Sequence, residues 1–125
     1  MIKPDAVKGK HIGEIITAIE REFDIISIKK TELNKSQAEE FYAIHKGKEF
    51  FDGLIEFITS GPVVALLLQG DNIQAQVREF IGATDPAKAK PGTIRARFGS
   101  SVQHNAVHAS NPLENPEKEI EFFFK

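Results

Sequence analysis

The chain has 125 residues, of which 41% are hydrophobic and 27% charged; this is one domain's length and a balance too apolar for disorder. Cysteine is absent, which excludes disulfide scaffolds, thiolate zinc sites and thiol nucleophiles together. Sixteen basic residues against eighteen acidic leave a net charge of −2, which argues against nucleic acid as the main partner. The longest apolar run, residues 62–68, is too short to span a bilayer, and no secretory signal precedes the folded part. A cytoplasmic location, with no membrane partner, is the expectation.

Met1 and Ile2 read as the end of a strand, broken at Lys3-Pro4-Asp5 because Pro4 fixes its own φ and restricts the residue before it. Residues 12–23 carry Ile12, Ile15, Ile16, Ile19 and Phe23, a three-and-four spacing that makes one apolar helix face. Residues 24–33, rich in β-branched side chains, predict a strand. Ser36-Gln37-Ala38-Glu39 has the form of a capping box and predicts a helix running towards His45. Residues 50–59 predict a short helix, with Phe50, Leu54, Phe57 and Ile58 at helical spacing, stopped by Ser60-Gly61-Pro62. Residues 63–68 are continuously apolar and predict a central strand buried on both faces.

Gly70-Asp71-Asn72 turns the chain, with Asn72 as the expected cap of a helix carrying Ile73, Val77, Phe80 and Ile81. Residues 82–93, with Pro86, Pro91 and Gly92, predict a long irregular stretch. A short strand near Val102 and a last helix carrying Glu119, Ile120, Phe123 and Phe124 complete the chain. Two β-α-β halves side by side predict a single α+β domain over residues 1–125. Its expected core is a ferredoxin-like, four-stranded antiparallel sheet (βαββαβ) covered by helices.

Charge is unevenly spread. Residues 78–97 hold five cations (Arg78, Lys88, Lys90, Arg95, Arg97) and two acids. A solvated loop would account for them, but three are arginines, whose planar fork matches phosphate oxygens two at a time. No glycine-rich phosphate loop and no G-x-G-x-x-G helix opening is present, so a bound nucleotide would be held by side chains. His104 and His108 stand four apart, yet the zinc-protease pattern needs a Glu where Asn105 stands. His11 and His45 lack accompanying groups and read as surface residues. His108 is flanked by small or polar residues, and Glu119 follows on a helix able to fold back. A neutral imidazole whose other nitrogen is held by a partner can accept a phosphoryl group and pass it on. Such transfer needs cations around the phosphates; Arg78 and Arg95 suit this, with the Thr84 hydroxyl and Lys3.

Ile2-Lys3-Pro4-Asp5, Phe50-Phe51, Ser60-Gly61-Pro62-Val63, Gly92-Thr93-Ile94-Arg95 and Asn105-Ala106-Val107-His108-Ala109-Ser110 follow one another across the whole chain. In order and spacing they resemble the landmarks of the nucleoside diphosphate kinase family. The resemblance implies a ping-pong transfer of the γ-phosphate of a nucleoside triphosphate, usually ATP, to a nucleoside diphosphate through phosphorylated His108. It implies that Glu119, with Ser110, orients the imidazole and that Tyr42 lies beside it. Lys3 would meet the phosphates and the sugar 3′ hydroxyl. Phe50 would stack on the base with Val102 on its other face and Leu54 on the nucleotide side. Arg78, Thr84 and Arg95 would hold phosphates, and Asn105 would reach the sugar and phosphate side. Mg2+ would be held mainly by the nucleotide phosphates, with no protein metal site. Stacking without hydrogen-bond readout implies broad base and sugar tolerance. Family members form homo-oligomers, tetramers or hexamers.

Each residue also has a plainer reading. Lys3 could be a solvated lysine, Phe50 a core residue competing with Phe51, Asn105 a turn residue and Thr84 a cap. Glu119 could be one of four acids (Glu114, Glu117, Glu119, Glu121) on an exposed helix face. A non-catalytic protein of the same fold, binding nucleotide or single strands through residues 78–97, is the alternative function; net acidity and scarce aromatics weigh against it. Ala109 and Asn111 depart from the Gly and Asp common in the family, and Ala109 is acceptable if its φ is negative. Only Met1 and Ile2 precede the Lys-Pro-Asp segment where relatives have several residues, so a trimmed first strand is expected. The longer C-terminal tail that many members use in subunit contacts is not found after Lys125.

Overall fold

The computed structural model describes residues 1–110 and 115–125; Asn111 and Glu114 lie outside them. In chain order the helices and strands are α1 (Pro4–Lys8), α2 (Ile12–Glu22), β1 (Asp24–Thr31), α3 (Lys35–Phe41), α4 (Phe51–Ile58), β2 (Val63–Gln69), α5 (Ile73–Ile81), α6 (Ile94–Phe98) and α7 (Pro116–Phe124). Short 3-10 turns stand at Ala43–His45 and Pro86–Lys88.

β1 and β2 pair antiparallel from Asp24 opposite Gln69 to Thr31 opposite Val63, with a bulge at Ile26. Beyond β2 the sheet continues as single bridges. Ile2 is bridged to Val64 on one side and to Val107 on the other, both antiparallel. The architecture is therefore α+β with an antiparallel sheet. Two full strands are formed among the described residues, where four were expected. At the first of the missing positions Pro4 ends the extended chain after Ile2 by opening α1, with Lys3 at its cap. At the other, the expected strand near Val102 is irregular chain, and the strand-like contact falls five residues later, at Val107.

Alternation along β2 buries it on both faces. Val63 and Ala65 join Leu33, Ala38, Tyr42, Phe51, Leu54, Ile55, Ile58 and Phe123 in a cluster under α3, α4 and α7. Val64 joins Ile2, Ile15, Ile19, Ile81, Ile94, Ala106 and Val107 in a second cluster under α2, α5 and α6, with Leu66 and Leu68 packed against it. Fully burying each of the Val, Leu, Ile and Phe side chains among them contributes about 1.5–3 kcal/mol, so the sheet is held from both sides.

Helix ends differ from the sequence expectation where local hydrogen bonding has a choice. α3 is capped by Asn34, whose side chain accepts from Gln37 N at 2.8 Å while Gln37 Oε1 accepts from Asn34 N at 3.0 Å. The capping box therefore starts two residues before Ser36. Asn72 precedes α5 in the left-handed region (φ 51°) and makes no side-chain cap, so it turns the chain instead of capping it. Residues 82–93 include a 3-10 turn, and five residues of α6 follow at once, capped by Thr93 accepting from Ala96 N. Gly82 has φ 97°, and a Cβ there would lie 2.5 Å from Thr93 Oγ1. Both its backbone and its close approach to Thr93 require glycine.

Candidate active site

His108 follows a tight turn. Val107 N donates to Asn105 O at 2.9 Å across Ala106, whose φ is 74°; this is a γ-turn of the rarer, left-handed-φ kind, a conformation that costs about 1–3 kcal/mol for a non-glycine residue. Outside support holds it there. Ala106 N donates to Asp5 Oδ2 at 3.0 Å, and Lys3 N donates to Ala106 O at 2.8 Å. The turn sends Asn105 and His108 out on either side of the Ile2 bridge. Ala109 has no positive φ, as the departure from glycine requires.

The imidazole of His108 is part of a hydrogen-bonded unit. Its Nε2 lies 3.1 Å from Glu119 Oε1, and Ser110 Oγ donates to Glu119 Oε2 at 3.0 Å. An ionised carboxylate only accepts, so Nε2 carries the proton and Nδ1 keeps its lone pair. Burial holds the His108 pKa below the usual imidazole value, against the opposing hydrogen bond to Glu119. The ring is thus neutral at pH 7. Glu119 belongs to the half-buried face of α7, not to an exposed acidic face.

Cations stand beside this unit. Lys3 is only 6% exposed, and its Nζ donates to Asn105 Oδ1 at 2.9 Å. Burial, and then the neighbouring Arg95, bring the Lys3 pKa down to about 8. Asn105 Nδ2 in turn donates to Thr84 O at 3.0 Å, so both Lys3 and Asn105 are built into the fold. Arg95, 7% exposed, donates from its two terminal nitrogens to Gly82 O (3.1 Å) and Val107 O (2.9 Å). Its Nε is buried with no partner among the described residues. Burial and then Arg78 lower its pKa to about 10, which leaves it charged at neutral pH. Arg78 reaches Ala109 O at 3.4 Å. Clustered cations held against each other in this way are set for an anion.

A wall of rings leads away from His108. The ring of Tyr42 meets it edge-on at 5.9 Å, Tyr42 and His45 are 6.1 Å apart, and His45 and Phe50 are 5.4 Å apart. Phe50 is 51% exposed while Phe51 is buried, which settles their competition for the core. Leu54 is buried one turn below Phe50, a floor to the wall. Val102 is 58% exposed on the segment that precedes Asn105. Thr84 is exposed. Phe50, Val102 and Thr84 are therefore exposed, whereas Lys3, Arg95, Asn105, His108, Glu119 and Ser110 are held in hydrogen-bonded units.

Three participants were not legible in the sequence. Phe41 packs edge-on against His108 at 5.3 Å. His45, read as a surface residue, lies in the ring wall, with Lys48 Nζ 3.1 Å from its Nδ1. Asp5 supports the turn at Ala106. Only the helical spacing between Phe41 and Ala38 hinted at the first. His104 and His108 do not converge: His104 stacks on Phe57 at 4.3 Å. Among the described residues no group of three or more His, Asp or Glu side chains could hold a metal ion. No helix among them is long and apolar enough to cross a membrane.

On this α+β frame a neutral, oriented imidazole beside fixed cations is equipped to accept a phosphoryl group and pass it on, the chemistry of a phosphotransferase. The nucleoside diphosphate kinase family model matches residues 1–125. A nucleoside diphosphate kinase from a Nitratiruptor species is 52% identical over 125 residues, covering 99% of this chain and 91% of the relative. The Aquifex aeolicus nucleoside diphosphate kinase structure superposes with a TM-score of 0.94 at 41% identity, covering 99% of this chain and 91% of that one. The nucleoside diphosphate kinase from Halobacterium salinarum, solved in complex with CDP, gives a TM-score of 0.93 at 42% identity, covering 98% and 83%. The chain belongs to the nucleoside diphosphate kinase family.

Proposed function

We propose that this enzyme transfers the γ-phosphate of a nucleoside triphosphate, usually ATP, to a nucleoside diphosphate, with His108 as the carrier. The observation that carries the proposal is the His108–Glu119–Ser110 unit, neutral and oriented, beside Lys3 and Arg95. In the first half-reaction the Nδ1 lone pair forms a bond to the γ-phosphorus as the bond to the β–γ bridging oxygen breaks. The electron pair leaves with the diphosphate. Glu119 holds the Nε2 proton and offsets the positive charge that develops on the ring. In the second half-reaction a terminal oxygen of another diphosphate attacks the phosphorus, and the N–P electrons return to the imidazole. Lys3, Arg78 and Arg95 hold the phosphates in line, with Thr84 at the rim and Asn105 towards the sugar. Tyr42 keeps the imidazole wall closed on one side.

The base lies between Phe50 and Val102, above Leu54. Stacking is available to every base, so base selectivity is weak, and ribo- and deoxyribonucleotides are both used. Glu119 is engaged by His108 and Ser110, so a Mg2+ ion would be held mainly by the nucleotide phosphates. Such an ion would supply charge neutralisation on the phosphates, beside Lys3, Arg78 and Arg95.

The same reading takes the chain as one kinase domain over residues 1–125, cytoplasmic like its nucleotide substrates. The Val107–Ile2–β2–β1 order of bridges and strands supports a four-stranded ferredoxin-like sheet. It also takes the enzyme as a homo-oligomer, tetramer or hexamer. In support, Ile26 and Ile28 are about half exposed on β1, which pairs on one side only among the described strands. Incubation with γ-labelled ATP tests the carrier: the intact protein acquires an acid-labile, base-stable label and His108→Ala does not. Label retained undiminished in that variant removes His108 from the role.

A further inference from the structure

Residues 99–104 form a short loop with Val102 near its tip. The loop is closed on His104. Ser100 N and Ser101 N donate to His104 O at 2.8 and 3.3 Å, and His104 N donates to Ser101 Oγ at 3.0 Å. At its root, Gly99 packs so closely that a Cβ would lie 2.8 Å from Arg95 O and 3.1 Å from Asn105 Cα. The loop is therefore closed on itself above a tightly packed root, and its approach to α4 rests on the contacts that bridge the two.

The bridge is His104. Its ring lies flat on Phe57, centroids 4.3 Å apart and planes 21° from parallel. Phe57 is a buried residue of α4, seven positions and two helical turns after Phe50, so both lie on one helix face. Beside it a Cβ at Gly53 would stand 3.4 Å from Gln103 Nε2, which shows how near the loop comes to the helix. Phe50 on the helix and Val102 on the loop are both exposed.

We propose that His104 is a positioning residue for the base. By stacking on Phe57 it clamps the Val102 loop to α4 and sets the spacing of the slot between Phe50 and Val102. This rests on the reading of Phe50 and Val102 as the two faces of that slot. His104 stacks on Phe57 and not on Lys3, Arg78 or Arg95, so its loss is expected to act mainly on the nucleoside half of the ligand.

The test is the affinity of the whole enzyme for ADP and for inorganic pyrophosphate, measured by calorimetry. An aromatic pair of this kind corresponds to about a three- to tenfold change in an equilibrium constant. His104→Ala is expected to weaken ADP binding about fivefold and leave pyrophosphate binding unchanged. His104→Phe, which keeps a flat ring, restores ADP binding, and Phe57→Leu, which removes the stack from the other side, reproduces the His104→Ala result. ADP binding unaltered in His104→Ala, or ADP and pyrophosphate weakened alike, overturns the clamp. Phe50→Ala separates the two ideas. If it weakens ADP and His104→Ala does not, the clamp alone fails; if Phe50→Ala also leaves ADP unchanged, the slot itself is misplaced.

Discussion

The surroundings of His108 and those of Phe50 and Val102 are built on opposite principles. Around His108 the polar groups are buried and engaged: Lys3 on Asn105, Arg95 on two carbonyls, Glu119 on His108 and Ser110. Phe50 and Val102, by contrast, stand half exposed. The first arrangement loses little by reorganisation when charge moves, which is what phosphoryl transfer requires. On the proposed function, the second reads a shape common to all bases, and the enzyme is strict about phosphorus chemistry and indifferent to the base.

Changes at the buried end should therefore be severe and those at the rim mild. Removing the carrier, His108→Ala, is expected to lower exchange between nucleotides by roughly 10⁴-fold or more while the chain still folds; circular dichroism and a coupled exchange assay read both. Arg95→Ala should reduce turnover by roughly 10²–10³-fold, the range for losing one preorganised charge-stabilising donor. It should also lower stability, because Gly82 O and Val107 O lose their partner. Near-normal turnover in that variant would break the comparison. Glu119→Gln keeps the shape and removes the charge; a drop of about 10–100-fold is expected, in the range seen when a partner that orients a histidine is changed. At the rim, Phe50→Ala should raise the Kd for nucleoside diphosphates about tenfold, the scale of one base–aromatic stack, and by similar factors for purines and pyrimidines. A loss confined to one base would contradict reading by shape.

Acidity gives the smallest and most specific contrast. The pKa of Lys3 is lowered to about 8 from an ordinary 10.5. As pH rises through about 8 the lysine loses its charge in the folded enzyme, so affinity for nucleoside diphosphates should fall there, and Lys3→Met should abolish that inflection. The unfolded chain still holds this proton up to about pH 10.5, so Lys3 makes the fold more stable as pH rises across that window. The histidine acts at the other end. Because its folded pKa is lowered, His108 stays an unprotonated nucleophile below the ordinary imidazole pKa, and the fold loses stability as pH falls from there.

Much of the interior was legible because it depends on strong local signals. The unbroken apolar run of residues 63–68 marked the strand buried on both faces, and helical spacing marked α2, α4 and α5. The sequence around His108 pointed to the imidazole and to Glu119. What escaped was decided by competition between nearby alternatives. Asn34 and Ser36 both offer caps two residues apart, and only backbone geometry chooses between them. α6 has five residues, too few for periodicity to register, although it presents Arg95. The γ-turn at Ala106 has no residue signature, since it is imposed by Asp5 and Lys3 from the far end of the chain. The strand near Val102 was misplaced because a β-branched residue there serves an exposed loop tip and not the sheet. His45 has no distinguishing neighbours in sequence; only the folded chain places it between Tyr42 and Phe50.

The chemistry turns on one nitrogen. Enzyme carrying isotope-labelled histidine, treated with ATP and freed of nucleotide, can be read by NMR for phosphorus–nitrogen coupling. Coupling is expected at Nδ1 of His108, with Nε2 still protonated and held by Glu119. Phosphorus on Nε2, or on any other residue, would contradict it.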